Sequence, residues 1–392
     1  MDLSLKTATQ RSARDLIPAR YYPLFLAVVF VGSLLLSYAL IPPINDMDWI
    51  RSAQQVRNLW RGVNPYCAPY CAFRDFDPDF RVDETYVSVK VYSPWVMFYF
   101  APLFYASTRV IVALNVAFWI VIMLDSGRPA ALILILHPAF LMLWASANPD
   151  FVINGVGLWL ILRVSRGWRR GIALMLIAIK PQILPLLLLL EGARILWERD
   201  WAALGVIAAL GGVSVALYPA WLLDTVPALM GLTSSVSPEE QAGLGELFTY
   251  PFSVFGAWGV APALGVTAVI LLLMRRRLTE WRALAVLLSL VWTPHLSLYN
   301  YALPLILFRK TPAWRVGTYL AVSLAALPVL FRDYHHYERY GVLLFLLLAA
   351  ALTTPDDEQT EEAIAARNHQ PVMARPIAHF LARWPTRTGL EP

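Results

Sequence analysis

Apolar runs of about twenty residues recur along this chain, the length a helix needs to cross a bilayer. The first, Tyr22 to Ile41, is uninterrupted and follows Lys6, Arg11, Arg14 and Arg20. It has no small-residue cleavage site and reads as a signal anchor. Another span is expected from Arg109 to Leu124. Residues 130–165, 171–190 and 281–308 differ in pattern: each is apolar with a polar or proline-containing midpoint. These midpoints are Asn148-Pro149-Asp150, Lys180-Pro181-Gln182, and Thr293-Pro294-His295 running to Tyr299-Asn300.

The basic residues turn this pattern into a topology. They cluster in short connections: Arg163, Arg166, Arg169 and Arg170; Arg194 and Arg199; Arg275, Arg276 and Arg277; Arg309 and Lys310. Cytoplasmic loops show this bias. The three interrupted segments begin and end at such clusters, so each crosses an even number of times. Helical hairpins with polar apices toward the outer side are expected, some shorter than the bilayer. Broken helices at membrane depth must line a cavity or pack in protein. Residues 171–190 are also readable as one ordinary span.

Composition agrees with a polytopic membrane protein: 58% of the 392 residues are hydrophobic and 15% charged, against about 25% charged in soluble domains. The net charge of +5 lies at helix ends and forms no aromatic-interleaved stripe, which excludes nucleic acid as a partner. Both termini are expected in the cytoplasm of a plasma-membrane protein, with the loop at 43–92 outside. That loop holds six Lys or Arg against seven Asp or Glu, so no basic excess opposes this placement. Ser93 to Tyr105 is short and aromatic, compatible with an interfacial helix on the outer face.

The outer loop carries the most unusual chemistry. Asn45-Asp46-Met47-Asp48-Trp49 places two carboxylates where the chain first leaves the apolar run, at a desolvation cost that normally accompanies a partner or a reaction. Gly62-Val63-Asn64-Pro65-Tyr66 follows, then Cys67 and Cys71, which an oxidising exterior favours as a disulfide over free thiols. Asp75, Asp77 and Asp79 do not make an EF-hand, because Phe80 and Tyr86 stand where its Gly and Glu belong. Arg332 to Arg339 reads as a solvated outer loop with headgroup contact. From about residue 354 the tail is acidic, then mildly basic, too polar to fold alone, and is assigned no chemistry.

The order of these motifs resembles a family. An outer-loop Asp is followed by Gly62 and Asn64-Pro65-Tyr66, a Tyr92-Ser93-Pro94-Trp95 segment and an Asn-rich turn. Then come Lys180-Pro181 inside a hydrophobic hairpin and Pro294-His295-Leu296-Ser297-Leu298-Tyr299-Asn300-Tyr301. Over residues 20–350 this is similar to the GT-C membrane glycosyltransferases, most closely glycosyltransferase family 87, which includes polyprenyl-phosphomannose-dependent α-mannosyltransferases. At Asp48-Trp49-Ile50-Arg51-Ser52 the Asp and its aromatic neighbour match the family pattern, and the Val-Tyr that usually follows is missing. The resemblance implies an all-α, GT-C-like bundle of about twelve transmembrane helices over residues 1–353, several short or broken. It also implies transfer of a sugar, a hexose such as mannose, from a polyprenyl-phosphate carrier to a lipid or glycan acceptor, with inversion, at the extracytoplasmic face.

The reaction needs a base for the acceptor hydroxyl and cations for the departing phosphate. The family spacing assigns the base to Asp48 with Asp46 in reserve. Either carboxylate could instead cap a helix at Trp49, or the pair could hold a divalent cation. Lys180, with Gln182 beside it, is the candidate for the lipid phosphate, unless its amine snorkels to an interface. His295 could touch phosphate or acceptor, or be structural. Asn64, Tyr66, Asn148, Asn300 and Tyr301 are candidate sugar contacts. No metal ligand set and no cofactor is assigned, and the lack of a Rossmann unit counts against direct use of a nucleotide sugar. A transporter, a flippase, or an O-antigen polymerase or ligase are the competing classes; against a transporter stand the large first loop and the lack of repeated halves.

Overall fold

Proline and a few polar side chains decide where the helices start and stop. The computed structural model describes residues 17–42, 106–125, 129–181, 183–221, 260–274, 281–293 and 298–328, together with positions 95, 96, 99, 103, 223, 344, 347 and 348. The described residues are helical and include no strand. Helix α1 (Tyr22–Leu40) begins with Pro23 in its first turn, where a missing N–H costs nothing. It pairs with α2 (Thr108–Asp125). A 3-10 helix (Pro129–Leu136) leads to α3 (Pro138–Ala145), whose N-cap His137 accepts the Ala139 N–H at Nδ1, 3.1 Å. The chain turns at Ala147, in the left-handed region at φ 44°. It returns through a π turn (Phe151–Gly155) and α4 (Val156–Arg163).

The second hairpin is α5 (Trp168–Ala178) and α6 (Pro185–Trp197). Pro181 cannot donate a helical hydrogen bond and Pro185 restarts the helix, so the segment breaks in the middle. Residues 171–190 are therefore two short helices and not one span. Helix α7 (Trp201–Leu217) starts at Asp200, whose Oδ1 accepts the Ala203 N–H at 3.2 Å. Helices α8 (Val260–Met274) and α9 (Trp281–Trp292) follow. Two 3-10 helices, Leu298–Ala302 and Pro304–Lys310, carry the return of the third hairpin, and α10 (Ala313–Ala325) comes next.

Two described helices, Tyr22–Leu40 and Thr108–Asp125, are long and apolar enough to cross a membrane. The other described apolar helices are shorter than 18 residues; in the three hairpins the prolines and polar midpoints divide the runs. Three aromatic rings anchor the interior: Trp119 on α2, Phe140 on α3 and Phe151 in the π turn, with centroids 4.7–5.7 Å apart. Two glycines set the closest approaches. A Cβ on Gly157 would lie 2.9 Å from Ile177 Cγ1, and one on Gly171 would lie 2.7 Å from the Ala203 carbonyl oxygen. Helices α4 and α5, and α5 and α7, therefore touch nearly backbone to backbone, as small residues permit.

The helices share two ends of contrasting chemistry. At one end Arg163, the Trp159 indole N–H (2.9 Å) and the Tyr22 hydroxyl (3.2 Å) bond the Asp125 carboxylate. Arg170 there holds Glu191 and Glu198, each at 2.6 Å, while Arg282 bonds Glu191 and the Val164 carbonyl. The basic connections after α4 and α6 and the start of α9 thus converge, neutralised by the buried Asp125 and Glu191 and the half-buried Glu198. Burial pulls Glu198 upward, but hydrogen bonds and charge from Arg194 and Arg170 win and hold it below the ordinary carboxylate value. The opposite end holds the midpoints of the three hairpins.

Candidate functional site

Each hairpin contributes a polar apex, and the three apices meet. Asn148 sets the first: its Oδ1 accepts the Asp150 N–H at 2.8 Å, an Asx turn that starts the chain back. Asn115, in the middle of the apolar helix α2, holds this turn from the side. It donates to the Asn148 carbonyl at 2.9 Å and accepts from the Val152 N–H at 3.1 Å. The Asp150 carboxylate faces the second apex, where Lys180 Nζ lies 2.5 Å from Oδ2. The third apex supplies Asn300, whose Nδ2 donates to the same Oδ2 at 3.1 Å. Thr293 ties the third apex to the second through the Ile183 carbonyl at 3.3 Å.

Burial makes this cluster costly unless it is satisfied. Asp150 is 1% exposed, Lys180 9%, Asn300 2%, and Asn115, Asn148 and Asn154 are fully buried. A lone ammonium or carboxylate there would pay a large desolvation cost, which pairing offsets. Asn154, four residues beyond Asp150, donates its amide to the Lys180 carbonyl at 3.4 Å. Between Asp150 and Asn154 the backbone takes the π conformation, which is rare and concentrates at functional sites. Both donors to Asp150 use Oδ2. Asp150 Oδ1 and Asn154 Oδ1 are buried and accept no hydrogen bond.

The end of α1 and the start of α2 lie together on this side. Arg109, at the start of α2, donates to the Ala39 carbonyl near the end of α1 at 3.0 Å and lies over the Tyr38 ring. Trp95 donates its indole N–H to the Met175 carbonyl at 3.0 Å, and the Tyr99 hydroxyl donates to the Val152 carbonyl at 2.7 Å. Trp95 and Tyr99 thus rest on the backbone of α5 and of the π turn. Trp95 also meets Trp221 edge to face, 5.7 Å between centroids.

Of the expected site residues, Lys180, Asn148, Asn300 and Tyr301 lie at the apical end, with Tyr301 buried beside Asn300. Asp46, Asp48, Asn64, Tyr66, Gln182 and His295 lie outside the described residues, as do Cys67 and Cys71. The residues that sequence reasoning passed over are Asp150, Asn154 and Asn115. Asp150 had a signal: an apolar-embedded lysine needs a counter-charge, and an acid stands beside the midpoint proline of the preceding hairpin.

No group of three or more His, Cys, Asp or Glu among the described residues could hold a metal ion. The described apex instead combines one balanced ion pair with several carboxamides, a set suited to neutral polar or hydroxyl-bearing ligands. No protein-family model, curated protein or solved structure matches this chain.

Proposed function

We propose that this protein is an integral membrane glycosyltransferase of GT-C type. It takes a sugar, a hexose such as mannose, from a polyprenyl-phosphate donor and transfers it with inversion to a lipid or glycan acceptor at the extracytoplasmic face of the plasma membrane. The observation that carries this reading is the meeting of three hairpin apices around Asp150, Lys180 and Asn300, toward the end where α1 finishes and α2 starts. A bundle of long and short helices exposing Leu24, Val28, Leu35 and Leu36 on α1, and Leu264, Val269 and Leu272 on α8, suits hydrocarbon and not water. With 11 and 13 residues, α5 and α6 rise roughly 16–20 Å from the arginine-rich end. The hydrocarbon core is about 30 Å thick, so helices of this length bring the apices past its middle and stop short of the outer headgroups.

In this mechanism Asp48 takes the proton of the acceptor hydroxyl. The hydroxyl oxygen bonds to the anomeric carbon while the carbon–oxygen bond to phosphate breaks, and polyprenyl phosphate leaves. Lys180, with Gln182 and His295, is assigned to the donor phosphate, and Asn64, Tyr66, Asn148, Asn300 and Tyr301 to the sugar. Asp46 serves as a cap or a secondary ligand, with a divalent cation as an optional occupant of the pair.

The test is transfer of labelled sugar from a polyprenyl-phosphate-sugar to membrane acceptors by purified protein in lipid nanodiscs. Asp48→Asn, with an unchanged unfolding midpoint, is expected to lower kcat by at least about a hundredfold; full activity would remove the base assignment. A second reading, ion-coupled transport, draws on the buried Asp150–Lys180 pair at broken helices. Substrate uptake driven by a proton gradient in proteoliposomes, without sugar transfer, would favour it.

A further inference from the structure

We infer that Asp150 Oδ1 and Asn154 Oδ1 are the hydroxyl-accepting wall of a sugar subsite, with Lys180 between that wall and the donor phosphate; this rests on the reading as a sugar transferase. Both oxygens are fully buried, both belong to residues that touch Lys180, and neither accepts a hydrogen bond. The asymmetry at Asp150 is the informative point. Lys180 and Asn300 both donate to Oδ2, which leaves Oδ1 with its lone pairs unused in a place where an unmatched acceptor is destabilising.

The chemistry of the surroundings narrows the occupant. A cation at Oδ1 would lie beside the Lys180 ammonium and be repelled, and an anion would meet the carboxylate. A neutral O–H donor suits both oxygens, each a buried acceptor without a partner. In a glycosyl phosphate the ring hydroxyls lie next to the phosphate. One lysine bonded to Asp150 can therefore face the phosphate while Asp150 faces the sugar. Sites that hydrogen-bond a substrate hydroxyl discriminate strongly against ligands that lack it, because their buried acceptors are then left unmatched.

The test compares binding of bare polyprenyl phosphate with binding of polyprenyl phosphate carrying mannose, glucose or arabinose, to purified protein in nanodiscs. The wild type is expected to bind at least one sugar-bearing lipid about tenfold more tightly than the bare lipid. Asn154→Ala should reduce that preference, and the charge-balanced D150A/K180A should abolish it while the protein still unfolds cooperatively. If the wild type shows no preference, or if Asn154→Ala and the double variant both keep it, the subsite is overturned. Should D150A/K180A fail to fold, Asn154→Ala alone decides, since it removes no charge. A parallel transfer assay on the wild type separates the two claims: sugar preference without transfer keeps the subsite and removes the transferase reading.

Discussion

Lys180 and Asp150 lie on different hairpins, thirty residues apart, and each is the other's counter-charge. Removing one partner leaves the other charged in a buried place, and such losses run to about 3–5 kcal/mol. Removing both takes the desolvation cost away with the attraction. Lys180→Met is therefore expected to lower the thermal unfolding midpoint in detergent sharply, and D150A/K180A to recover most of the loss. A double variant as unstable as the single would mean that the pair holds the apices together by more than mutual neutralisation. Glu198 offers the complementary case at the arginine-rich end, outside the proposed bilayer. Its folded-state pKa lies below the ordinary value near 4.5. Its stabilising contribution is thus complete above that value and fades as pH falls through the lowered folded value. The wild-type midpoint should hold steady from neutral pH to about pH 5 and then decline. Glu198→Gln should start lower at neutral pH and converge on the wild type in acid; parallel curves would show that Arg170 and Arg194 do not act through its charge.

At the scale of elements, the helix contacts depend on two glycines, Gly157 and Gly171. A methyl at Gly171 would lie 2.7 Å from the Ala203 carbonyl oxygen and 3.0 Å from its Cα, both backbone atoms that cannot swing aside. Gly171→Ala is expected to destabilise by about 1–3 kcal/mol, read as a lower unfolding midpoint. Gly192, on α6, has open space around it; Gly192→Ala should gain about 0.5–1 kcal/mol of helix propensity. Equal effects at both positions would deny that α5 and α7 pack this closely. Much of this layout is legible in the sequence. Pro181 and Pro185 mark the break in the second hairpin, and the basic clusters mark the ends that converge. What is not legible is pairing between apices. Asn115 sits in a helix apolar enough to read as plain lipid-facing or core sequence, yet its carboxamide clamps the turn at Asn148. The π turn after Asp150 leaves no compositional trace, and long-range partners such as Asp150 and Asn300 are 150 residues apart.

For the molecule as a whole, the two chemically opposite ends make orientation the decisive property. One end gathers Arg163, Arg170, Arg194 and Arg282 with their acids; the other gathers the hairpin apices, the end of α1 and the start of α2. If the positive-inside rule sets the placement, the arginine-rich end faces the cytoplasm and Asp48 faces outward, as the proposed transfer requires. The two cysteines supply a native probe, because both lie in the 43–92 loop. After treatment of intact cells with an impermeant reductant, an impermeant maleimide should label the wild type and not the Cys67→Ala/Cys71→Ala variant. In that variant an added Arg199→Cys, at an exposed turn between α6 and α7, should label only after the cells are permeabilised. The reverse pattern would put Asp48 and the Asp150–Lys180 apex on the cytoplasmic side. An extracytoplasmic transferase using polyprenyl-phosphate-sugar would then be ruled out, whatever the chemistry of the apex itself.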